Sequence, residues 1–307
     1  MIKKTLYFGN PAYLSTRKQQ LVVRLVADKN VGADADNAER TFPIEDIGVV
    51  VLDHAQITLT QPLLSLLLQN NCALINCNDK HMPFGLLLPL DSNTVQQERF
   101  EAQLNASLPL KKQLWTQTVQ AKIRNQAFVL ERKINEVCAN MYAWADDVKS
   151  GDSTNKEAQA AAFYWKHVWP EYPDFFRDQY GPYPNCLLNY GYAILRAVVA
   201  RALVSTGLLP TMGIHHHNRY NAYCLADDVM EPYRPYVDQV VLDIAGLNNE
   251  GFEMTKEQKI ELLKIPTLDV SINGRTRPLE IAVSYTTASL YKCFSGELRK
   301  ISYPEMC

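Results

Sequence analysis

A change of residue type near Ser92 constrains this chain more than any other feature. Before it, short β-branched and apolar runs alternate with Gly, Pro, Asn and Asp; after it, Thr94 to Val148 is rich in Gln, Glu, Lys, Leu and Ala. The first pattern forms strands, because branched side chains pack well on a pleated surface. The second forms helices, because unbranched side chains lose little rotamer freedom there. Strands are predicted at Thr5 to Phe8, Gln20 to Leu25, Ile47 to Leu52, Cys72 to Asn76 and Pro83 to Leu88, with one helix, Gln61 to Gln69, carrying Pro62 in its first turn. The fold class is α+β: a small N-terminal β-rich domain over residues 1–91, then a larger, all-α domain over 92–307. A length of 307 residues suits two ordinary domains of ~100–200 residues each.

Inside the second domain, Pro184 to Thr206 repeats Leu188, Tyr192, Leu195, Val199 and Leu203 on one helical face, and Gly207 and Pro210 stop it. This is a core strut. Val270 to Arg277 contains the Asn273-Gly274 pair that favours a tight type I′ hairpin, so a small ribbon is expected on the helical domain.

No run of eighteen apolar residues and no secretory leader pattern are visible, so a cytoplasmic protein without a membrane partner is expected. The seven cysteines are scattered without a C-x-x-C pair, which argues against a disulfide framework and against a zinc module; they read as reduced thiols. The net charge of −2 lacks the overall basic footprint of a nucleic-acid binder. Lys111, Lys112, Lys122, Arg124, Arg132 and Lys133 nevertheless share one helical region with a single acid, Glu131, and are the candidate DNA contacts. A solvated helix face is the plainer reading for any one of them.

Reactive side chains are densest in Gly213-Ile214-His215-His216-His217, followed closely by Asp227, Asp228 and Glu231. Imidazoles and carboxylates at short range suit a divalent cation held by mixed nitrogen and oxygen ligands. Successive side chains diverge from the backbone, so one histidine of the three is expected to serve. A third ligand would have to come from elsewhere, and Glu157 is the candidate, with the small residues Ala160 and Ala161 on its helical face. Taken alone, Glu157 is better read as a first-turn helix acid capped from Ser153 or Thr154. No H-E-x-x-H, G-x-S-x-G or G-x-G-x-x-G motif is present, which turns the argument away from zincins, serine hydrolases and dinucleotide enzymes.

Taken as a set, four segments resemble the CRISPR-associated integrases, the Cas-one family, along essentially the whole chain. They are Lys122-Ile123-Arg124-Asn125-Gln126-Ala127, the Glu157 helix, Leu188 to Leu195, and Gly213 to His216 with Leu225 to Asp238. The resemblance implies a metal-dependent DNA integrase or endonuclease of spacer acquisition, with the catalytic site in the helical domain. It places Glu157, His215 and Glu231 on the catalytic metal ligands, with Asp228 in support and Mg²⁺ or Mn²⁺ as the ion. It further implies a homodimer, double-stranded DNA as substrate (a foreign fragment and the CRISPR repeat), and a small ferredoxin-like partner subunit bridging two dimers. Many relatives carry Asp where this chain has Glu231, a side chain longer by one methylene. A generic metal-dependent nuclease and a non-catalytic DNA-binding scaffold are the alternatives.

Overall fold

The computed structural model describes residues 3–25, 39–246 and 254–307. It divides into two compact units, Met1–Ser92 and Asn93–Cys307, one residue from the boundary expected at 91/92.

The first unit holds two four-stranded sheets. One orders β1 (Lys4–Phe8), β5 (Ile47–Leu52), β7 (Ala73–Cys77) and β8 (Pro83–Leu87), with the first two pairings parallel and the last antiparallel. The other orders β4 (Arg40–Pro43), β3 (Gln20–Leu25), β2 (Ala12–Arg17) and β6 (Ile57–Leu59). Parallel strands buried on both faces read as continuous apolar runs, and Ile47 to Val51 is such a run, entirely buried. The helix α1 (Gln61–Gln69) sends Leu63 and Leu67 into a core shared with Leu14, Leu21, Ile44, Ile47 and Val50. Three strands escaped the sequence reading: β2, β4 and β6. The hairpin joining β2 to β3 turns on Lys18 and Gln19, both in the left-handed region at φ 51° and 60°, where Gly or Asn would normally signal the turn.

The second unit is mainly helical. Its helices are α2 (Gln96–Leu104), α3 (Leu108–Ile134), α4 (Ala139–Asp146), α5 (Lys156–His167), α6 (Asn185–Thr206), α7 (Cys224–Met230), α8 (Arg234–Ala245), α9 (Lys256–Leu262) and α10 (Leu279–Phe294). The predicted strut is α6. Leu188, Tyr192, Leu195, Val199 and Leu203 are all buried. Although α6 is long and apolar enough by composition to cross a membrane, 72% of its apolar window is buried within the fold, as in a core helix. The predicted ribbon is β9 (Asp269–Ile272) paired with β10 (Arg275–Pro278); Asn273 and Gly274 both have positive φ, as the type I′ turn requires.

The longest helix, α3, is the frame on which the site is built. Ser107 caps it, its hydroxyl accepting from the Leu110 N–H, and Asn135 closes it in the left-handed conformation. Trp115, Thr118, Lys122 and Asn125 recur at three- and four-residue spacing, so they share one face, and all four are buried. The Asn125 amide donates to the carbonyls of Pro232 and Pro304 and accepts from Met306 N–H, tying α3 to the turn after α7 and to the C-terminal segment.

Candidate active site

Glu157 lies in the first turn of α5. Its own backbone N–H and that of Lys156 donate to the two oxygens of Asp152, at 3.0 and 2.8 Å. The cap expected from Ser153 or Thr154 therefore comes from Asp152, which reaches past Asn155 in the left-handed conformation. With the backbone N–H groups capped, the Glu157 side chain is left available for other work, on a face whose neighbour Ala160 is fully buried.

Glu231 occupies the junction where α7 passes into a single 3-10 turn, Glu231–Tyr233. Pro232 has no N–H to continue the α-helical ladder, which accounts for the tightening there. The Glu231 side chain is only 5% exposed, and Arg234 Nε lies 3.0 Å from its Oε1. Three residues earlier, Asp228 is fully buried and organises the histidine loop. Its carboxylate accepts from the N–H groups of Ile214 (2.7 Å), His215 (2.9 Å) and His216 (3.2 Å), and from His216 Nδ1 at 2.5 Å. Gly213 permits this wrapping: a Cβ there would stand 2.8 Å from Asp228 Oδ2 and collide with the His216 carbonyl.

The three histidines thereby acquire different roles. His215 lies flat on the Trp115 indole, centroids 4.1 Å apart and planes within 2°. His216 has one ring nitrogen committed to Asp228, so that Nδ1 carries the proton and Nε2 is left over. His217 is exposed and bonds back to the His215 carbonyl. Their electrostatics diverge accordingly. Burial, helped by His216, holds His215 below the ordinary imidazole value, whereas the bond to Asp228 raises His216 despite its burial. The charges of Glu231 and Glu157 both act to raise His216, and that of Glu157 acts to raise His215.

Lys122 departs most from its predicted place. It is 8% exposed, not a surface contact, and its ammonium lies 2.7 Å from Glu157 Oε1 and 2.6 Å from Glu231 Oε2. Burial alone would lower its pKa, but Glu231 and Glu157 outweigh that and raise it. Burial likewise pushes the Glu231 carboxyl up, and Arg234 and Lys122 override it, bringing it down to about 2. At 2.6 Å the Lys122 ammonium is the close partner of Glu231 Oε2, a buried oxygen with no other hydrogen bond among the described residues.

The other basic candidates also separate. Arg124 pairs with Asp146 and Lys133 with Glu171. The stem of Lys112 packs over Gly151, and Arg132 helps to line a cavity of about 330 Å³ between α3, α8 and the β9–β10 ribbon, which none of the candidate ligands lines. Asp238 is fully buried between the hydroxyls of Tyr164 and Tyr192; burial pushes it up to about 6 against those two hydrogen bonds. The guanidinium of Arg234 stacks over the Tyr192 ring at 4.9 Å, linking this cluster to Glu231.

Two of the expected ligands, Glu157 and Glu231, come together at the Lys122 ammonium. Glu157 and Glu231, 74 positions apart in sequence, each place an oxygen within 2.7 Å of one nitrogen. Among the described residues no three His, Cys, Asp or Glu side chains, whether with His215 or with His216, are gathered closely enough to ligate an ion as they stand. Two facts fit a cation at this point: both carboxylates already aim at a single positive charge, and the buried Oε2 of Glu231 has no hydrogen bond among the described residues besides its contact with that charge.

The family model described as "CRISPR associated protein Cas1" matches residues 6–264 of the chain. The chain belongs to the Cas1 family. It is 36% identical over 273 residues to the CRISPR-associated endonuclease Cas1 of Neisseria meningitidis serogroup C, covering 89% of this chain and 86% of the relative. In fold it is similar to a casposase bound to integration product, with a TM-score of 0.76 at 20% identity over 98% of this chain and 92% of the other. It is also similar to part of a chain of a Cas6-RT-Cas1–Cas2 complex, with a TM-score of 0.71 at 18% identity, over 97% of this chain and 35% of that one. The β-rich unit followed by a helical unit is thus the Cas1 fold.

Proposed function

We propose that this Cas1 protein is a metal-dependent DNA integrase of CRISPR adaptation, joining a fragment's 3′-hydroxyl to a phosphodiester at the repeat boundary with release of another 3′-hydroxyl. One phosphodiester forms as one breaks, so no nucleotide hydrolysis is needed, consistent with the absence of a P-loop motif. The observation that carries the reading is the meeting of Glu157 and Glu231 at one cationic point, beside a loop of histidines clamped by a buried aspartate. The name of the Neisseria relative and the integration product held by the casposase support it.

The residues that would hold Mg²⁺ or Mn²⁺ are Glu157, Glu231 and one imidazole. We assign the imidazole to His216 in place of His215. Metal-binding histidines commonly donate their other ring N–H to a carboxylate, which fixes tautomer and orientation, and His216 has that bond to Asp228 while His215 is spread on Trp115. When bound, such an ion polarises the phosphoryl oxygen and stabilises the charge of the pentavalent transition state. The chain's own groups do the rest. Asp228 holds His216 and the loop backbone, Asp152 fixes the start of α5, and Arg234 keeps Glu231 ionised.

DNA is held chiefly through phosphates, with Lys111, Lys112, Arg124, Arg132 and Lys133 as candidate contacts, so binding weakens with salt. With a net charge of −2 the chain shares this load with other subunits. The assembly we propose is a homodimer with a small ferredoxin-like subunit bridging two dimers; that a structural relative is a Cas6-RT-Cas1–Cas2 complex supports a partner subunit.

The test is to incubate the protein, with its partner subunit, with Mn²⁺, a labelled short duplex and a repeat-bearing plasmid. Integration puts the label into the plasmid, and Glu157→Ala abolishes it. Fragmentation without joining would show a plain nuclease. Activity untouched by Glu157→Ala would refute a catalytic role for this site.

A further inference from the structure

Lys122 has no place in the reaction just described, yet it is the most committed charge in the site. It is the common partner of both glutamates, it projects from the helix that carries Trp115 and Asn125, and its side chain is 10% exposed against 5% for Glu231. Two carboxylates brought this close repel each other, and a buried one without a counter-charge is strongly destabilising. Arg234 answers one oxygen of Glu231, and a positive charge between the two glutamates is what keeps both ionised. A divalent cation and the Lys122 ammonium cannot both occupy that point.

We infer that Lys122 is a built-in counter-ion that holds Glu157 and Glu231 together and must yield its place when a divalent cation binds, so that it sets how tightly the site takes metal. The inference rests on the proposed metal site and adds a competitor to it. Three features support exchange. Glu157 is 23% exposed, which leaves one side of the pair open to an incoming ion. Glu231 Oε2 has no hydrogen bond among the described residues besides its contact with the Lys122 ammonium, so an ion that takes the ammonium's place displaces nothing else there. Arg234 remains on Oε1 of Glu231, so one charge pair persists throughout the exchange.

Competition makes predictions opposite to those of a supporting role. A residue that helped the ion to bind would weaken binding when removed; a competitor strengthens it. Lys122→Met and Lys122→Gln are therefore expected to bind Mn²⁺ at least roughly tenfold more tightly than the wild type, measured by electron paramagnetic resonance titration of the full-length protein without DNA. Both variants are expected to melt below the wild type when metal-free and to gain more on adding Mn²⁺, because the ion replaces a counter-charge they lack. Lys122→Arg keeps a cation and is expected to stay near wild-type affinity.

Unchanged or weaker Mn²⁺ binding in Lys122→Met and Lys122→Gln would overturn the inference. So would failure of both variants to fold even with Mn²⁺ present. Glu231→Gln separates the two levels of the argument. If it leaves wild-type Mn²⁺ affinity unaltered, or if no variant binds Mn²⁺ at all, the metal site itself is wrong and the Lys122 inference falls with it. If Glu231→Gln weakens binding while Lys122→Met does not tighten it, only the role of Lys122 is refuted.

Discussion

Asp228 offers the sharpest structural test of the site, because one buried side chain holds both the loop backbone and an imidazole. It accepts four hydrogen bonds, three of them from consecutive backbone N–H groups. Replacing it by Ala leaves the Ile214 N–H, in a buried residue, without its acceptor, and cuts His216 loose. A buried donor left unpaired costs about 1–3 kcal/mol, and a hydrogen bond to a charged acceptor contributes about 1.5–3 kcal/mol. His216 is partly exposed and recovers some of its loss from water, so the total expected for Asp228→Ala is about 3–5 kcal/mol. For a unit of this size that is a fall of roughly 6–20 °C in Tm. The same variant should lose most Mn²⁺ affinity although Asp228 is not assigned as a ligand, because the imidazole is no longer aimed. Asp228→Asn keeps the shape but turns one acceptor into a donor, and should fall between Ala and wild type in stability. Calorimetry and metal titration on the three proteins decide it. If Asp228→Ala melts within about 2 °C of wild type and binds Mn²⁺ equally well, the loop is held by something else and the reasoning fails.

Other consequences follow from the same geometry. Glu157→Ala should abolish strand joining with little effect on folding, since Glu157 is partly exposed, whereas Glu231→Ala should abolish joining and also cost about 3–5 kcal/mol by stranding Lys122 and Arg234; equal melting temperatures for the two variants would contradict this. Asp238, raised to about 6 by burial, takes up its proton in the folded state before it would in the unfolded chain, so it favours folding as pH falls from 7 toward 4. Over that range the wild type should gain about 2 kcal/mol relative to Asp238→Asn in denaturant titrations, and parallel profiles would refute the assignment.

Much of the architecture was legible because the code for it is local. Ile47 to Leu52 is an uninterrupted apolar strand, and α6 repeats one apolar face from Leu188 to Leu203. Strands β2, β4 and β6 were not legible: β2 mixes Tyr, Ser, Thr and Arg, β6 has three residues, and the β2–β3 turn uses Lys and Gln where the usual signal is Gly or Asn. The site shows the same division. Glu157, Asp228 and Glu231 could be picked out by motif, but three adjacent histidines are equivalent as letters. Only the folded loop, wrapped on Asp228 and lying over Trp115, separates His216 from His215. Lys122 was indistinguishable in sequence from five other basic residues of α3. Its place on the inward face beside Trp115 and Asn125 decides its role, and no local pattern records which face of a long helix meets two carboxylates from elsewhere in the chain.

The central claim is that Glu157, Glu231 and the His216 imidazole share one divalent cation. Pulsed electron paramagnetic resonance on the Mn²⁺-loaded protein tests it directly, since a coordinated imidazole couples its nitrogen nucleus to the metal spin. One such coupling is expected in the wild type, in His215→Gln and in His217→Gln, and it should vanish in His216→Gln. A coupling that survives loss of His216 but disappears with His215, or no nitrogen coupling in any of the four proteins, would contradict the account.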